Sequence, residues 1–223
     1  MPDNQFDPRT SVAGRKKVEA PDVAGREKVK APDVAGRKDL LDWLAESGWS
    51  GIRDMADSMA ESLAVGGAVF SCGNGGSASQ AEHFAAELAG RYKLDRKSLP
   101  VFALSTNSAS VTAISNDFGY TEMFARQIEG IGKQGDCLLA LSTSGNSKNI
   151  IRVCQVAREK GMNVFGFTGK TGGNMVSECD ATIKIPETDT AKIQEMHLVA
   201  LHLTCQYIED KLFSPKPTKE KTS

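Results

Sequence analysis

The chain contains 223 residues, of which 40% are hydrophobic and 25% charged, and its formal net charge is −1. This composition is typical of one globular domain and excludes collagen-like, wholly disordered and disulfide-scaffold proteins. The nearly neutral charge argues against nucleic-acid binding, and no apolar run approaches the roughly 20 residues of a membrane span. Because no CxxC pair and no signal peptide are evident, we expect a cytoplasmic protein with neither a membrane nor a nucleic-acid partner.

The N-terminal region repeats itself. Residues 12–22 recur as residues 23–33, and a third, truncated copy begins at Val34. Each complete copy contains a glycine and a proline, and its only apolar residues are valine and alanine, so it buries too little surface to offset the entropy of ordering. We predict a disordered tail over residues 1–38, a folded domain over 39–213 and a polar tail over 214–223. Short helices that pack on a partner subunit remain the alternative for the repeats.

Strand-like and helix-like patterns alternate through the rest of the chain. Helical spacing first appears at Ile52, Met55, Met59 and Leu63 and ends near Gly66. Continuous apolar runs predict strands at residues 68–72, 99–104, 136–141, 163–168 and 181–185. Further helices are predicted at residues 78–89, 121–131, 149–160 and 191–212. The alternation indicates an α/β fold, a doubly wound five-stranded parallel sheet flanked by helices, which binds ligands at the carboxyl ends of its strands.

Two loops rich in glycine and hydroxyl residues follow apolar strands and precede helices. Residues 73–77 read Gly-Asn-Gly-Gly-Ser, and residues 142–147 read Ser-Thr-Ser-Gly-Asn-Ser. Neither is a Walker loop or a GxGxxG fingerprint. Hydroxyls and free backbone N–H groups at a helix N-terminus bind anions without an arginine. The pair of loops therefore predicts a small phosphorylated ligand, although turns and helix caps alone would also explain each loop taken singly.

Candidate acid–base residues lie on two predicted helices. His83 and Glu87 are four residues apart and share a helix face, a spacing that suits a metal pair, a proton-transfer pair or a plain surface contact. The last helix carries Gln194, His197 and His202. Because Gln194 and His202 are about 12 Å apart along an ideal helix axis, spacing alone does not place them on one ion.

Taken together, these motifs resemble a known family. Residues 71–77, 83–92, 116–119, 142–147 and 193–197 resemble the corresponding motifs of the bacterial phosphoheptose isomerases, which belong to the sugar isomerase (SIS) fold group. The resemblance covers about residues 50–213. Members of this family convert sedoheptulose 7-phosphate to D-glycero-D-manno-heptose 7-phosphate, a reaction that would serve lipopolysaccharide or another surface glycan here.

The resemblance implies a specific set of site residues. The sugar would be lined by Asn74, Gly75, Gly76, Ser77, Asn116 and Asp117, and the phosphate by Ser142, Thr143, Ser144 and Ser147. The zinc ligands would be His83, Glu87, Gln194 and His202, with one Zn²⁺ per subunit; Glu87 and Gln194 would also contact substrate, and Glu87 and His202 would be the acid–base pair. Arg91 would add positive charge nearby. The resemblance also implies a homotetramer.

The sequence leaves other functions open. A non-catalytic adaptor of the same fold, of the type that associates with DnaA, lacks the acid–base pair, whereas this chain retains Glu87 and His202. A sugar-phosphate-responsive transcription regulator would need a helix-turn-helix domain, which the repeats do not supply. The chain departs from the family at Ala191 and Lys192, so an acidic substrate contact there is not expected. The repeats stand where the family has its first helix, which residues 39–47 would have to replace.

Overall fold

The computed structural model describes residues 33–214 of the chain. Its helices, in chain order, are α1 (Val34–Trp43), α2 (Trp49–Ala64), α3 (Gly76–Ala89), α4 (Ser108–Phe118), α5 (Ala125–Ile131), α6 (Lys148–Glu159) and α7 (Thr190–Phe213). A π-helical turn at Leu44–Gly48 joins α1 to α2, and 3-10 turns occupy Tyr120–Glu122 and Asn174–Glu178. The strands are β1 (Val69–Cys72), β2 (Val101–Ala103), β3 (Cys137–Ser142), β4 (Asn163–Thr168) and β5 (Ala181–Lys184). Within this range, no helix has both the length and the apolar character that a bilayer crossing requires.

The five strands form one parallel sheet in the order β2-β1-β3-β4-β5, which confirms the predicted doubly wound fold. Val69 of β1 lies opposite Val101 of β2 on one side and Cys137 of β3 on the other. The chain therefore changes direction across the sheet between β1 and β3. At such a point the connections that leave the two strands diverge and open a crevice at their carboxyl ends. The two Gly/Ser loops follow β1 and β3 and lie at this crevice.

Apolar residues cover the sheet on both faces. On one face α1, α2, α3 and α7 form a continuous core, which includes Met59 and Phe84. On the other face α5 and α6 contribute Phe124 and Ile150 to a second core. Strand β3 supplies residues to both cores in alternation and is buried along its whole length. Burial on both faces explains why its sequence is an unbroken apolar run.

The folded unit begins earlier than the sequence predicts. Helix α1 starts at Val34, so the third repeat copy forms the beginning of the folded unit, and the boundary predicted between residues 38 and 39 moves to residue 34. Arg37 binds Glu195 of α7 through two hydrogen bonds of 2.6 and 2.8 Å, and Leu40 and Leu44 are buried. The leucines that follow the start of this copy, Leu40 and Leu44, pack α1 into the core. The tail that is predicted to be disordered precedes the described residues. Residues 215–223 of the predicted C-terminal tail also lie outside them.

Strand β2 is shorter than predicted. Residues 99–104 read as a strand, but only Val101–Ala103 form one. Pro100 has no N–H to donate to a neighbouring strand, and within sheets prolines are confined to strand ends and sheet edges. The N–H of Leu99 instead donates to the carbonyl of Leu88, at a distance of 3.2 Å. Similarly, the helix predicted over residues 121–131 begins as a 3-10 turn and becomes α5 only at Ala125.

Candidate active site

The first Gly/Ser loop brings the backbone of α3 against α7. Gly75 has a φ of +54°, a conformation that L residues with a side chain rarely adopt. A Cβ atom on Gly76 would lie 2.8 Å from the side-chain amide of Gln194. Glycine at these two positions therefore permits a turn and a close approach between the helices. Helix α3 starts at Gly76, whereas the sequence predicted a start at about residue 78.

The second loop leaves the N-terminus of α6 available to a ligand. Ser147 is the N-cap residue of α6, but its side chain does not cap the helix. Its hydroxyl instead lies 3.3 Å from the hydroxyl of Ser142. The N–H groups of a first helical turn carry a partial positive charge and have no partner within the helix. With its N-cap side chain turned away, this helix end can accept an anion.

A small cavity lies between the two loops and the start of α7. It has a volume of about 180 Å³ and is lined by Asn74, Ser77, Leu141, Ser142, Thr143, Ser147, Thr190 and Gln194. Because most of these residues carry hydroxyl or amide groups, we call it the hydroxyl cavity. Helices α3, α6 and α7 all begin at or beside it, at Gly76, Lys148 and Thr190. Three positive helix ends and four hydroxyl residues of the loops and α3 suit a phosphate group.

Three residues that sequence reasoning missed also belong to this region. Thr190 lines the hydroxyl cavity at the start of α7, where Asp189 caps the helix. Asn149 is 2% exposed and forms a reciprocal pair of hydrogen bonds with Asn74, at 2.9 and 2.8 Å. The hydroxyl of Tyr120 donates to Oδ1 of Asn74 at 2.9 Å. In the sequence, Thr190 could have been recognised as a hydroxyl residue that directly follows an N-cap Asp. No signal in the sequence pairs Asn149 or Tyr120 with Asn74.

Some predicted ligand residues lie outside the hydroxyl cavity. Asn116 and Asp117 are exposed at the end of α4, where the amide of Asn116 donates to Oδ1 of Asp117 at 2.8 Å. Ser144 points its hydroxyl at the backbone N–H of Asn146, at 3.1 Å. None of these three residues is part of the cavity lining. Their contact with a ligand stays a prediction.

A second polar group lies farther along the same helices. The Nε2 atoms of His83 and His202 are 3.0 Å apart, and Nε2 of His83 is 3.1 Å from Oε1 of Glu87. One ligand atom from each of the three residues lies within 4.8 Å of the others. We call them the His/Glu/His group. Helix α3 supplies His83 and Glu87 on one face, and α7 supplies His202.

The donor atoms of the His/Glu/His group fit a divalent metal ion. Two imidazole nitrogens and one carboxylate oxygen are a common ligand set for zinc, which leaves a fourth position open at catalytic sites. The two separations of 3.0 and 3.1 Å are close to the about 3.3 Å between ligand atoms of a tetrahedral ion bound at about 2.0–2.1 Å. Two imidazole nitrogens this close need either a shared proton or a shared ion between them. The residues present therefore fit a metal ion.

Gln194 lies at the hydroxyl cavity. Its side-chain amide is 3.4 Å from the hydroxyl of Ser77 and packs against Gly76. This position agrees with a substrate contact. Its predicted second role, as a ligand of the ion shared by His83, Glu87 and His202, stays a prediction.

Helices α3 and α7 run side by side in the same direction, which links the two polar groups. Ser77 meets Gln194 at the hydroxyl cavity, and farther along both helices His83 meets His202. From Ser77 to His83 the helix rises about 9 Å, and from Gln194 to His202 it rises about 12 Å. The residues of the two polar groups therefore project from backbone positions about 9–12 Å apart along one helix pair.

His197 lies on α7 between these two groups and is fully buried. Its Nε2 is 3.2 Å from the carbonyl oxygen of Thr168 at the end of β4, and its ring packs on Phe167. Within residues 33–214, its Nδ1 has no hydrogen-bond partner. Burial lowers the pKa of His197 to about 4, so the imidazole is neutral near pH 7. His197 therefore joins α7 to the sheet.

Comparisons with known proteins agree with this architecture. The family model described as SIS domain matches residues 35–169. The phosphoheptose isomerase of Rhodospirillum rubrum is 49% identical over 163 residues, which cover 73% of this chain and 87% of that protein. The solved phosphoheptose isomerase of Neisseria gonorrhoeae is 35% identical with a TM-score of 0.74, and that of Francisella tularensis is 32% identical with a TM-score of 0.76. Each structural match covers 79% of this chain and 94% of the other. The chain belongs to the SIS-domain family and, within it, to the phosphoheptose isomerases.

Proposed function

We propose that this chain interconverts sedoheptulose 7-phosphate and D-glycero-D-manno-heptose 7-phosphate. The proposal rests on the arrangement of the two polar groups along α3 and α7, whose backbone positions differ by about 9–12 Å in helix rise. An open-chain seven-carbon sugar phosphate spans about 10 Å from C1 to phosphorus, estimated from ordinary bond lengths. The phosphate would occupy the hydroxyl cavity, and C1 and C2 would then reach the His/Glu/His group.

The chemistry moves a carbonyl group from C2 to C1. One base must remove a proton from C1 of the ketose, and O2 must gain a proton, which gives an enediol. The proton on O1 must then leave, and a proton must return to C2. We assign the C–H proton transfers to Glu87, since its carboxylate can face both carbons from one side. We assign the transfers at O1 and O2 to His202, whose imidazole can both donate and accept.

We infer that His83, Glu87 and His202 hold one zinc ion per subunit, with Gln194 as the further ligand expected from the family. Zinc is favoured because two imidazoles and a carboxylate suit it, although the same set also binds Mn²⁺, Fe²⁺, Co²⁺ and Ni²⁺. A bound divalent ion would act as a Lewis acid that stabilises negative charge on the sugar oxygens. Glu87 and His202 would then move protons through the carboxylate oxygen and the ring nitrogen that do not hold the ion.

We also propose a homotetramer, in which neighbouring subunits cover surfaces that the single chain leaves exposed. Helix α4, which carries Asn116 and Asp117, buries none of its residues, and the adjoining Tyr120 is 56% exposed. An apolar groove of about 530 Å³ runs beside α1 and α7 and includes Leu41 and Trp49. A second copy at α4 would bring Asn116 and Asp117 into a closed site. Native mass spectrometry should find four chains; a monomer at micromolar concentration would contradict this part of the proposal.

The proposed setting is the cytoplasm, where the product would enter heptose synthesis for lipopolysaccharide or another surface glycan. The substrate and product are both phosphorylated and need no membrane component. This setting follows from the family assignment.

The proposal is tested by substituting the acid–base pair. Glu87→Gln and His202→Gln should each lower kcat for sedoheptulose 7-phosphate by about 10³-fold or more, because each removes a proton-transfer group. Glu82→Gln is the matched control, since Glu82 is an exposed carboxylate on the same helix, and its kcat should stay within twofold of wild type. Turnover is followed by NMR of the sugar C1 signals. If Glu87→Gln keeps wild-type turnover, Glu87 is not the base; a wild-type protein that binds the sugar without turnover would instead be an adaptor.

A further inference from the structure

A buried ion pair connects α3 and α7 beyond the His/Glu/His group. Nε of Arg96 lies 2.9 Å from Oε1 of Glu209, and the two side chains are 2% and 1% exposed. Removing two charges from water is costly, so a buried ion pair is weak evidence for a gain in stability. The position of the Arg96–Glu209 pair in the fold points to a role other than stability. Glu209 lies seven residues after His202, two helical turns farther along α7.

The Glu209 carboxylate fixes the segment that follows α3. It accepts hydrogen bonds from the backbone N–H groups of Tyr92, Lys93 and Leu94, at 2.9, 2.9 and 3.0 Å. Burial alone would raise the pKa of Glu209, but these hydrogen bonds and the Arg96 charge outweigh it and hold the pKa below its ordinary value. Glu209 therefore stays ionised and holds three successive residues of this segment against α7.

The Arg96 guanidinium fixes the last turn of α3. Its Nη1 donates to the carbonyls of Leu88 and Gly90 at 2.7 and 3.1 Å, and its Nη2 donates to the carbonyl of Glu87 at 3.1 Å. Carbonyls at a helix C-terminus have no partner within the helix and carry partial negative charge. Arg96 thus binds the backbone of Glu87 itself and joins it, through Glu209, to the helix that carries His202.

Tyr92 connects this arrangement to the imidazole of His202. Its ring stacks on the ring of His202 with centroids 5.6 Å apart and planes inclined by 29°. The same imidazole approaches His83 with ring centroids 5.0 Å apart. His202 therefore has one ring neighbour within the His/Glu/His group and another in the segment that Glu209 holds.

We propose that Arg96, Glu209 and Tyr92 are positioning residues for the acid–base pair. The Arg96–Glu209 pair sets where the backbone of Glu87 lies relative to α7, and Tyr92 sets the orientation of the His202 imidazole. This inference rests on the proposed function for its effect on turnover, and on the structure alone for its effect on His202. The placement of Glu87 and His202 matters because a displacement of about 1 Å at a reacting group can lower the rate about 100-fold.

The first test uses Tyr92, which is partly exposed and can be replaced without emptying the core. Tyr92→Leu should lower kcat at least tenfold and leave KM within twofold, because the hydroxyl cavity is untouched. Tyr92→Phe keeps the ring and should restore kcat to within twofold of wild type. A Tyr92→Leu variant with wild-type kcat, or a Tyr92→Phe variant as impaired as Tyr92→Leu, would overturn the role assigned to the ring.

The second test uses Glu209→Gln, which retains the shape of the side chain but removes the charge that holds Arg96. Its kcat per folded molecule should fall at least tenfold with KM within twofold, measured well below the unfolding transition. Lys211→Gln is the matched control, because Lys211 lies on the same helix as Glu209 and its partly exposed ion pair is with Asp57 of α2. It should leave kcat within twofold. Equal values of kcat for both variants would overturn the positioning role.

The NMR signal of His202 can be measured without turnover, so it tests the positioning role independently of isomerase activity. The chain has three histidines, so a ¹H–¹³C NMR spectrum of the imidazole Cε1–H groups is readily assigned. Tyr92→Leu and Glu209→Gln should both shift the His202 signal and leave the His197 signal in place. If wild type does not isomerise sedoheptulose 7-phosphate, these shifts still support the positioning role. An unchanged His202 signal in both variants would refute it.

Discussion

The two ends of the α3–α7 pair are built in different ways. At the hydroxyl cavity, the polar groups come from loops and from three helix ends, and most of them are short side chains. At the His/Glu/His group, three side chains on regular helices each supply one atom. If the proposed function is correct, binding is distributed over many weak contacts, whereas the chemistry depends on single groups. Substitutions at the two ends should therefore differ in both size and kinetic signature.

Removal of the proposed metal ion should affect only the acid–base end, and the effect should be large. Dialysis against a chelator should lower kcat to below about 1% of its starting value, because stabilisation of charge on the sugar oxygens is lost. Binding of inorganic phosphate, measured by calorimetry, should persist because the hydroxyl cavity does not need the ion. Added Zn²⁺ should restore turnover. Full activity in protein shown to be metal-free by elemental analysis would contradict the metal proposal.

The pH dependence of stability should report on His197, which lies between the two ends. Its pKa is about 4 in the folded chain and about 6.5 when unfolded, so the unfolded state binds its proton first as the pH falls. The contribution is therefore complete above pH 6.5 and is lost as the pH falls towards 4. Between pH 7.5 and 4, wild type should lose about 3 kcal/mol of unfolding free energy more than His197→Phe. Urea unfolding at a series of pH values measures the difference, and parallel curves for the two proteins would show that His197 is not responsible.

A substitution in the hydroxyl cavity should weaken binding and spare the chemistry. Ser142→Ala removes a cavity hydroxyl, and a hydrogen bond to a charged phosphate contributes about 1.5–3 kcal/mol. We expect KM to rise about tenfold or more, with kcat within twofold. Ser79→Ala removes an exposed hydroxyl from α3 and serves as the control. Steady-state kinetics of both variants test this, and a lower kcat with unchanged KM would place Ser142 at the wrong end of the substrate.

The smallest effect should come from Tyr120→Phe. The hydroxyl of Tyr120 bonds Asn74 from an exposed position, and a neutral hydrogen bond contributes about 0.5–1.5 kcal/mol. Asn74 keeps both hydrogen bonds to the buried Asn149 in the variant. A rise in KM of about threefold is expected. No change would show that Asn149 alone orients Asn74.

Much of the fold could be predicted from the sequence because its signals are local. Strand β4 matches its prediction at both ends, since it is a continuous apolar run between turn residues. Both Gly/Ser loops could likewise be placed at strand ends. The start of α1 was missed because the third repeat copy resembles the other two, and only the leucines that follow it distinguish it. Its contact with Glu195 joins residues 158 positions apart, which no local pattern reveals.

The candidate site could be predicted only in pieces. The spacing of His83 and Glu87 indicates a shared face, but their approach to His202 depends on how α3 lies against α7. That register is set by the close contact at Gly76 and by the Arg96–Glu209 pair, and both depend on three-dimensional packing. The family resemblance supplied the combination that spacing could not.

The proposed function requires one sugar phosphate to reach from the hydroxyl cavity to Glu87. Its most direct test is the incorporation of deuterium from D₂O into the sugar by wild type and by Glu87→Gln, together with the affinity of each protein for sedoheptulose 7-phosphate. We expect wild type to incorporate solvent deuterium at C1 or C2, and Glu87→Gln to bind the sugar within about threefold of wild-type affinity but to exchange no deuterium. Exchange by Glu87→Gln at the wild-type rate would contradict it.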